Sequence, residues 1–332
     1  MEQAATNEDS VVESAETREV AAGAKPARSM SAAMDTVESA QPVTVDPAAK
    51  SGRSALPAQI GAPPCPTCGG AGVEGATPSS YVYSLGQIEA RFPRLSVEKE
   101  LAQATGRAET AGRTDRQAFY EVLSKRENHY LARQLCWVLM VQGLETYILL
   151  QRDPADLDLL ISAIEPHETA WISTVIGVRG PVAPPEYCNG LMIPIVTFDQ
   201  IYTFSRDALI EAIPRPEGVP AQEFGAAARE LFDRIMQMTD NAGSTDEQRA
   251  LNYLAVRYPA IYSKAAEEFA RSFSLTGVEV RPSPLGGTRG VLEVIFAFTN
   301  RDSDFTEKFF VRVDVTEEFP FLITKLSPNY DR

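Results

Sequence analysis

The sequence predicts an α+β fold, and three observations predict it. Helix-start signals cluster in the middle of the chain, short β-rich runs separate them, and an uninterrupted β pattern fills the end after Leu275. The resulting expectation is a single large domain with a helical middle section, short strands and a C-terminal antiparallel β meander.

The domain does not begin at residue 1. No Phe, Tyr or Trp occurs before Tyr81, and the first part of the chain is rich in Ala, Ser, Glu and Pro. Such a stretch cannot bury enough apolar surface to offset the entropy of ordering it. Residues 1–62 are therefore read as a disordered tail, and 63–332 as the folded domain, opening with a turn-rich knuckle at 63–75.

The helices are placed by their caps. Thr114-Asp-Arg-Gln117 and Thr245-Asp-Glu-Gln248 fit the capping box, in which the Thr hydroxyl and the Gln amide satisfy orphaned backbone groups. Asp153 followed by Pro154 marks another start, and that helix must stop before Pro166. Asn128 is read as the cap of a helix whose middle, Leu135–Val141, is apolar all round and hence buried on every side. Residues 221–239 and 246–271 read as long helices, the second broken at Pro259.

Strands are read at 145–150, 172–178 and 191–198, with Pro194 placing the last at an edge or a bulge. Leu292, Val294, Phe296 and Phe298 alternate with the opposite face, as do Phe309, Val311, Val313 and Val315. Asn300–Asp304 between these runs is hairpin-loop material, and Phe321–Leu326 reads as a last strand.

Composition limits the partners. A net charge of −14 without a Lys/Arg cluster disfavours nucleic acid and anionic lipid. The longest apolar runs, such as Leu135–Val141, are too short to cross a bilayer, so no membrane association is expected. The acidic, polar N-terminus is neither a secretory signal nor an Arg-rich presequence. Four cysteines do not make a disulfide scaffold, and the expected compartment is the cytoplasm.

The sharpest local chemistry is Cys65-x-x-Cys68 followed by glycines. Two thiolates on a tight knuckle present both sulfurs to one zinc, and Gly there lets the backbone turn. A tetrahedral site needs two more ligands, and Cys136, Cys188, His129 and His167 are the other Cys and His residues in the chain. On a helix, His129 and Cys136 would stand about 10.5 Å apart along the axis, too far to share a metal easily. Cys136 and Cys188 are the better completion, giving a metal site of Cys65, Cys68, Cys136 and Cys188 with a structural zinc. The plainer reading keeps Cys136 as a buried thiol.

Other motifs carry less. Gly70-x-Gly72-x-x-Gly75 matches a dinucleotide fingerprint by letter, but it follows a cysteine knuckle instead of a strand. His129 and His167 read as surface or capping residues, and Glu317-Glu318 as a solvated turn. No nucleophile elbow, phosphate loop or His-Glu-x-x-His motif occurs, so no catalytic residue is assigned.

Long strings carry a family resemblance. They include Leu95–Glu100, Thr105–Thr110, Arg133–Leu139, Val175–Pro181, Cys188–Met192, Asp240–Gly243, Asn252–Pro259, Val313–Pro320 and Lys325–Pro328. From Cys65 to Arg332 the chain resembles the C-terminal domain of unknown function of the cyanobactin maturation proteases of the PatG and PatA type. The resemblance implies a place in the maturation of ribosomally made peptides by proteolysis and macrocyclisation. It implies a precursor peptide or a subtilisin-like maturation protease as partner. No residue here matches the protease triad, so none is carried over. The expected function is a non-catalytic accessory domain; an undescribed enzyme acting on a peptide, with or without zinc, and a homodimerising scaffold module are the alternatives.

Overall fold

The computed structural model describes residues 80–105, 114–167, 171–238 and 240–330. The tail at 1–62 and the knuckle with Cys65 and Cys68 lie outside the described residues. Within them the α+β expectation holds.

The described chain opens with a strand that the sequence reading passed over. Strand β1 (Tyr81–Arg91) is followed by α1 (Leu95–Thr105), α2 (Asp115–Leu123) and the short α3 (His129–Ala132). A hairpin comes next, β2 (Cys136–Val141) and β3 (Leu144–Gln151), then α4 (Leu157–Ala163), β4 (Trp171–Val182) and β5 (Pro194–Ser205). These five strands close into a barrel in the order β1-β2-β3-β5-β4.

Residues 136–141 form a strand, which corrects the buried helix expected there. A short apolar run buried on both faces has no period to tell strand from helix, and its length of six residues fits the strand. The turn that follows confirms the hairpin: Gln142 and Gly143 take φ of 51° and 80°. Positive φ at both central positions matches the right-handed twist of the flanking strands. Pro194 opens β5, where its missing N–H costs least, and β5 itself sits inside the barrel between β3 and β4.

The C-terminal half follows the expected segregation. Helices α5 (Arg206–Glu211), α6 (Ala221–Met236), α7 (Asp246–Arg257) and α8 (Ala260–Ala270) precede β6 (Phe273–Pro282), β7 (Val291–Asn300) and β8 (Thr306–Asp314). The two-residue strands β9 (Phe321–Leu322) and β10 (Ser327–Pro328) both pair with β8. Both capping boxes are formed, on α2 and α7, and the long helix expected from 246 breaks at Tyr258-Pro259. Leu292, Val294, Phe296 and Phe298 turn one face of β7 onto α6–α8, together with Phe309, Val311 and Val313 of β8. The barrel packs separately on α1–α4, around Ile88, Trp137, Leu139, Leu149, Val196 and Phe198.

Helix α7 joins these two cores. In β1, residues 81–86 pair with β4 and residues 87–91 with β2, so the first half of β1 has one ladder edge that β2 does not cover. That edge is satisfied from the C-terminal half. The Tyr83 N–H donates to the Gly243 carbonyl at 3.0 Å, and the Tyr83 carbonyl accepts from Asn252 Nδ2 at 2.8 Å. Asn252 is fully buried on α7 and exchanges amide hydrogen bonds with Asn241, at 2.8 and 3.1 Å. Gly243 is required here: its φ is +69°, and a Cβ on it would stand 2.2 Å from the Tyr83 oxygen. Tyr83 also presents its hydroxyl to that of Tyr202 at 2.7 Å, with the Arg257 guanidinium over the Tyr202 ring.

One turn earlier on α7, Arg249 is fully buried. It pairs with Asp246 at 2.9 Å and donates to the carbonyls of Val315 at 2.8 Å, Glu318 at 3.3 Å, and Glu317. The chain leaving β8 is thus held by one guanidinium. Replacing Arg249 with Met keeps the volume but strands buried carbonyls, each costing about 1–3 kcal/mol. A total near 3 kcal/mol corresponds to a melting temperature lowered by about 6–12 °C at this size. Thermal denaturation of Arg249→Met checks this, and a shift under about 2 °C would show that water replaces the guanidinium freely.

Candidate functional site

The four cysteines expected to hold zinc are divided by the structure. Cys65 and Cys68 lie outside the described residues. Cys136, the first residue of β2, and Cys188, in the loop between β4 and β5, are brought together as expected but are joined to each other. They form a disulfide with S–S 2.11 Å and Cα–Cα 5.7 Å. A disulfide sulfur is not a thiolate and does not ligate zinc, so Cys136 and Cys188 do not complete a metal site in this state. Among the described residues no group of three or more His, Cys, Asp or Glu is placed to hold a metal ion.

The disulfide fixes a tight loop. Cys188, Asn189 and Gly190 all take positive φ, at 46°, 56° and 85°, and Ile148, Ala183 and Tyr187 pack around the bridge. It closes a separation of 52 residues, which corresponds to about 2–4 kcal/mol of stabilisation. Cys136→Ser is therefore expected to melt about 4–16 °C lower under non-reducing conditions and to differ far less from the parent in reductant. Equal losses in both conditions would mean that the thiol, and not the bridge, is what the site needs.

The histidines take peripheral places. His129 starts α3 with Nδ1 3.8 Å from the exposed Asp158, and His167 stacks on Trp171 with ring centroids 3.5 Å apart.

A carboxyl pair that the sequence reading missed joins the barrel to the chain after β8. Asp199 is the bulged residue of β5, set between Phe198 opposite Gly177 and Gln200 opposite Ile176. Its Oδ1 is held by Arg152 Nη1 at 2.7 Å. Its Oδ2 and the Oε1 of Glu318 are both buried, and neither receives an N–H or hydroxyl donor. The Glu318 side chain lies against Asp199, a contact that becomes a hydrogen bond when Glu318 holds a proton. Desolvation, then the hydrogen bond and charge of Asp199, push the Glu318 carboxyl up to about 7, against the pull of Arg152 and Arg249. Glu318 is thus not the freely solvated turn residue that its neighbours implied; of the two glutamates, Glu317 is the exposed one.

The sign of the linkage follows. Between the ordinary value of 4.5 and about 7, the folded chain keeps a proton that the unfolded chain has released. Stability from this contact is full at the acid end of that window and is lost as pH rises through it. Glu318→Gln supplies the hydrogen-bond donor at every pH. The variant's melting temperature should gain on the parent's between about pH 5 and pH 8. A difference that stays constant across that range would contradict the raised Glu318 carboxyl.

A cavity of about 400 Å³ opens where the end of β1 meets α2 and α4. Its apolar wall is Ile88, Ala90, Phe92, Phe119 and Ile164, with the Phe92 and Phe119 rings 5.2 Å apart. Arg116 of α2 lines it beside Glu89 and Arg91. Arg116 Nε and Nη2 donate to the carbonyls of Ile164 and Ala163, at 3.1 and 2.7 Å, closing the C-terminus of α4. Burial pulls the Arg116 guanidinium below its ordinary value, and the Glu89 charge raises it in part.

Comparison with known proteins bears on the whole arrangement. Residues 218–329 match the family described as PatG C-terminal. A solved structure described as the PatG Domain of Unknown Function superposes with a TM-score of 0.63 at 20% sequence identity. The match covers 75% of this chain and 98% of that one, a share that only the barrel and the C-terminal half together can supply. No curated protein matches the chain. Residues 218–329 thus carry the sequence of the PatG C-terminal family, and the chain adopts the fold of the PatG domain of unknown function.

Proposed function

We propose that this chain is a non-catalytic accessory module that binds a precursor peptide, or the enzyme that processes it, during maturation of ribosomally made cyanobactin-like peptides. The observation that carries the reading is the cavity between β1, α2 and α4. Its volume falls in the range of small-ligand sites, about 300–1,000 Å³. Apolar walls with the charged groups of Glu89, Arg91 and Arg116 among them suit a peptide side chain better than a small polar metabolite. The likeness to the PatG domain supplies the setting.

Calorimetric titration of the full chain with a synthetic precursor peptide tests the proposal. Saturable one-to-one binding is expected, with the peptide mass unchanged after prolonged incubation. Cleavage or cyclisation by the purified chain would overturn the non-catalytic part. If neither the precursor nor a subtilisin-like maturation protease is retained, the accessory reading fails.

A further inference from the structure

We infer that the cavity beside Arg116 receives a carboxylate carried on an apolar body, in chemical terms the C-terminus of a peptide ending in an aromatic or branched aliphatic residue. The inference rests on the binding role proposed above and narrows it to a ligand class.

The charges around the cavity select the anion. A guanidinium has five N–H groups, and Arg116 spends two of them on the carbonyls of Ala163 and Ile164. Among the described residues no carboxylate lies within ion-pair distance of it. Glu89, the carboxylate that acts on it electrostatically, is held 2.9 Å from Arg91, which also reaches Glu145 at 3.3 Å. Arg91 is shared between Glu89 and Glu145, so part of the Glu89 charge falls on Arg116, which keeps unspent donors and has no carboxylate in contact. A desolvated cation without a counter-ion is costly, and an incoming carboxylate relieves that cost with a charge-assisted pair. A chain of net charge −14 repels anions in general, so capture has to occur at a recessed site of this kind.

The walls select the body of the ligand. Ile88, Ala90 and Ile164 offer aliphatic surface, and the Phe92–Phe119 pair offers ring faces and edges. A bare inorganic anion would leave these walls uncovered, and a neutral apolar ligand would leave Arg116 unmatched. A C-terminal apolar residue satisfies both.

The test uses the full chain and two probes that differ in one group, N-acetyl-phenylalanine and N-acetyl-phenylalaninamide, titrated by ligand-observed NMR. The acid is expected to bind about ten-fold more tightly than the amide. Arg116→Gln should abolish that preference, so that the two probes bind alike. Because Arg116 also closes α4, this variant could fail to fold. Ala90→Leu leaves Arg116 and its carbonyl contacts in place, fills the apolar wall, and should weaken both probes. Equal affinity for acid and amide in the unaltered chain overturns the inference. So does absence of binding by either probe, a preference that survives Arg116→Gln, or full binding by Ala90→Leu. The outcome separates from that of the functional proposal. A precursor that binds while the acid probe does not would keep the accessory role and discard this site. An acid probe that binds while neither the precursor nor a subtilisin-like maturation protease is retained would keep the site and discard the peptide-maturation role.

Discussion

Two buried polar side chains on α7 set the geometry of the rest. Asn252 completes the open ladder edge of β1, and Arg249, three residues earlier, gathers the carbonyls of the chain leaving β8. Asn252 reaches β1, and Arg249 lies between the Tyr81 ring of β1 and the chain leaving β8, so a single helix ties the barrel to the C-terminal sheet. The arrangement is costly to break, because it would strand the backbone carbonyls of Tyr83 and Val315, which accept from these two side chains in the interior. It also accounts for the chain at 240–245. The Asn241 amide, the left-handed Gly243 and the Thr245 cap are what lets α7 begin close enough to β1 for Asn252 to reach it.

The same junction places the two chemically unusual features. The segment held by Arg249 carries Glu318 to the bulge at Asp199, where the raised Glu318 carboxyl closes the contact between the halves. The far end of β1, beyond the part that α7 covers, forms one wall of the cavity with α2 and α4. Holding β1 at both ends therefore shapes that cavity, and the guanidinium of Arg116 both ends α4 and faces the space. The disulfide belongs to the remaining side of the barrel. In a reducing compartment Cys136 and Cys188 would stand as thiols side by side, and the zinc assignment that includes Cys65 and Cys68 applies to that state alone.

Much of the architecture was legible because local chemistry and global fold agree. The Thr-x-x-Gln caps gave two helix starts, Pro259 the break between α7 and α8, and alternation the faces of β7 and β8. Cys136–Val141 was misread because a strand buried on both faces looks like a buried helix. Strand β1 went unread although Tyr81-Val-Tyr83 is β-rich, since Gly86 and Gln87 interrupt its pattern. The candidate site was the least legible part. The Cys136–Cys188 proximity was anticipated, but the bond between them was not. Asp199 and Glu318 are 119 positions apart, and nothing local marks either as half of a pair. Arg116 sits inside a capping box and reads as an ordinary solvated helix residue. Only the carbonyls at the end of α4, supplied from far along the chain, draw it into the cavity.

The central claim is that α7 makes the barrel and the C-terminal sheet one cooperative unit. Native-state hydrogen exchange of the full chain in low urea measures this directly. The amides of β1 at Val82–Leu85 and those of β7 at Val294–Phe296 should open with the same free energy and the same dependence on urea. Two plateaus with different slopes, the barrel opening while the C-terminal sheet stays protected or the reverse, would show that the α7 contacts do not couple the halves.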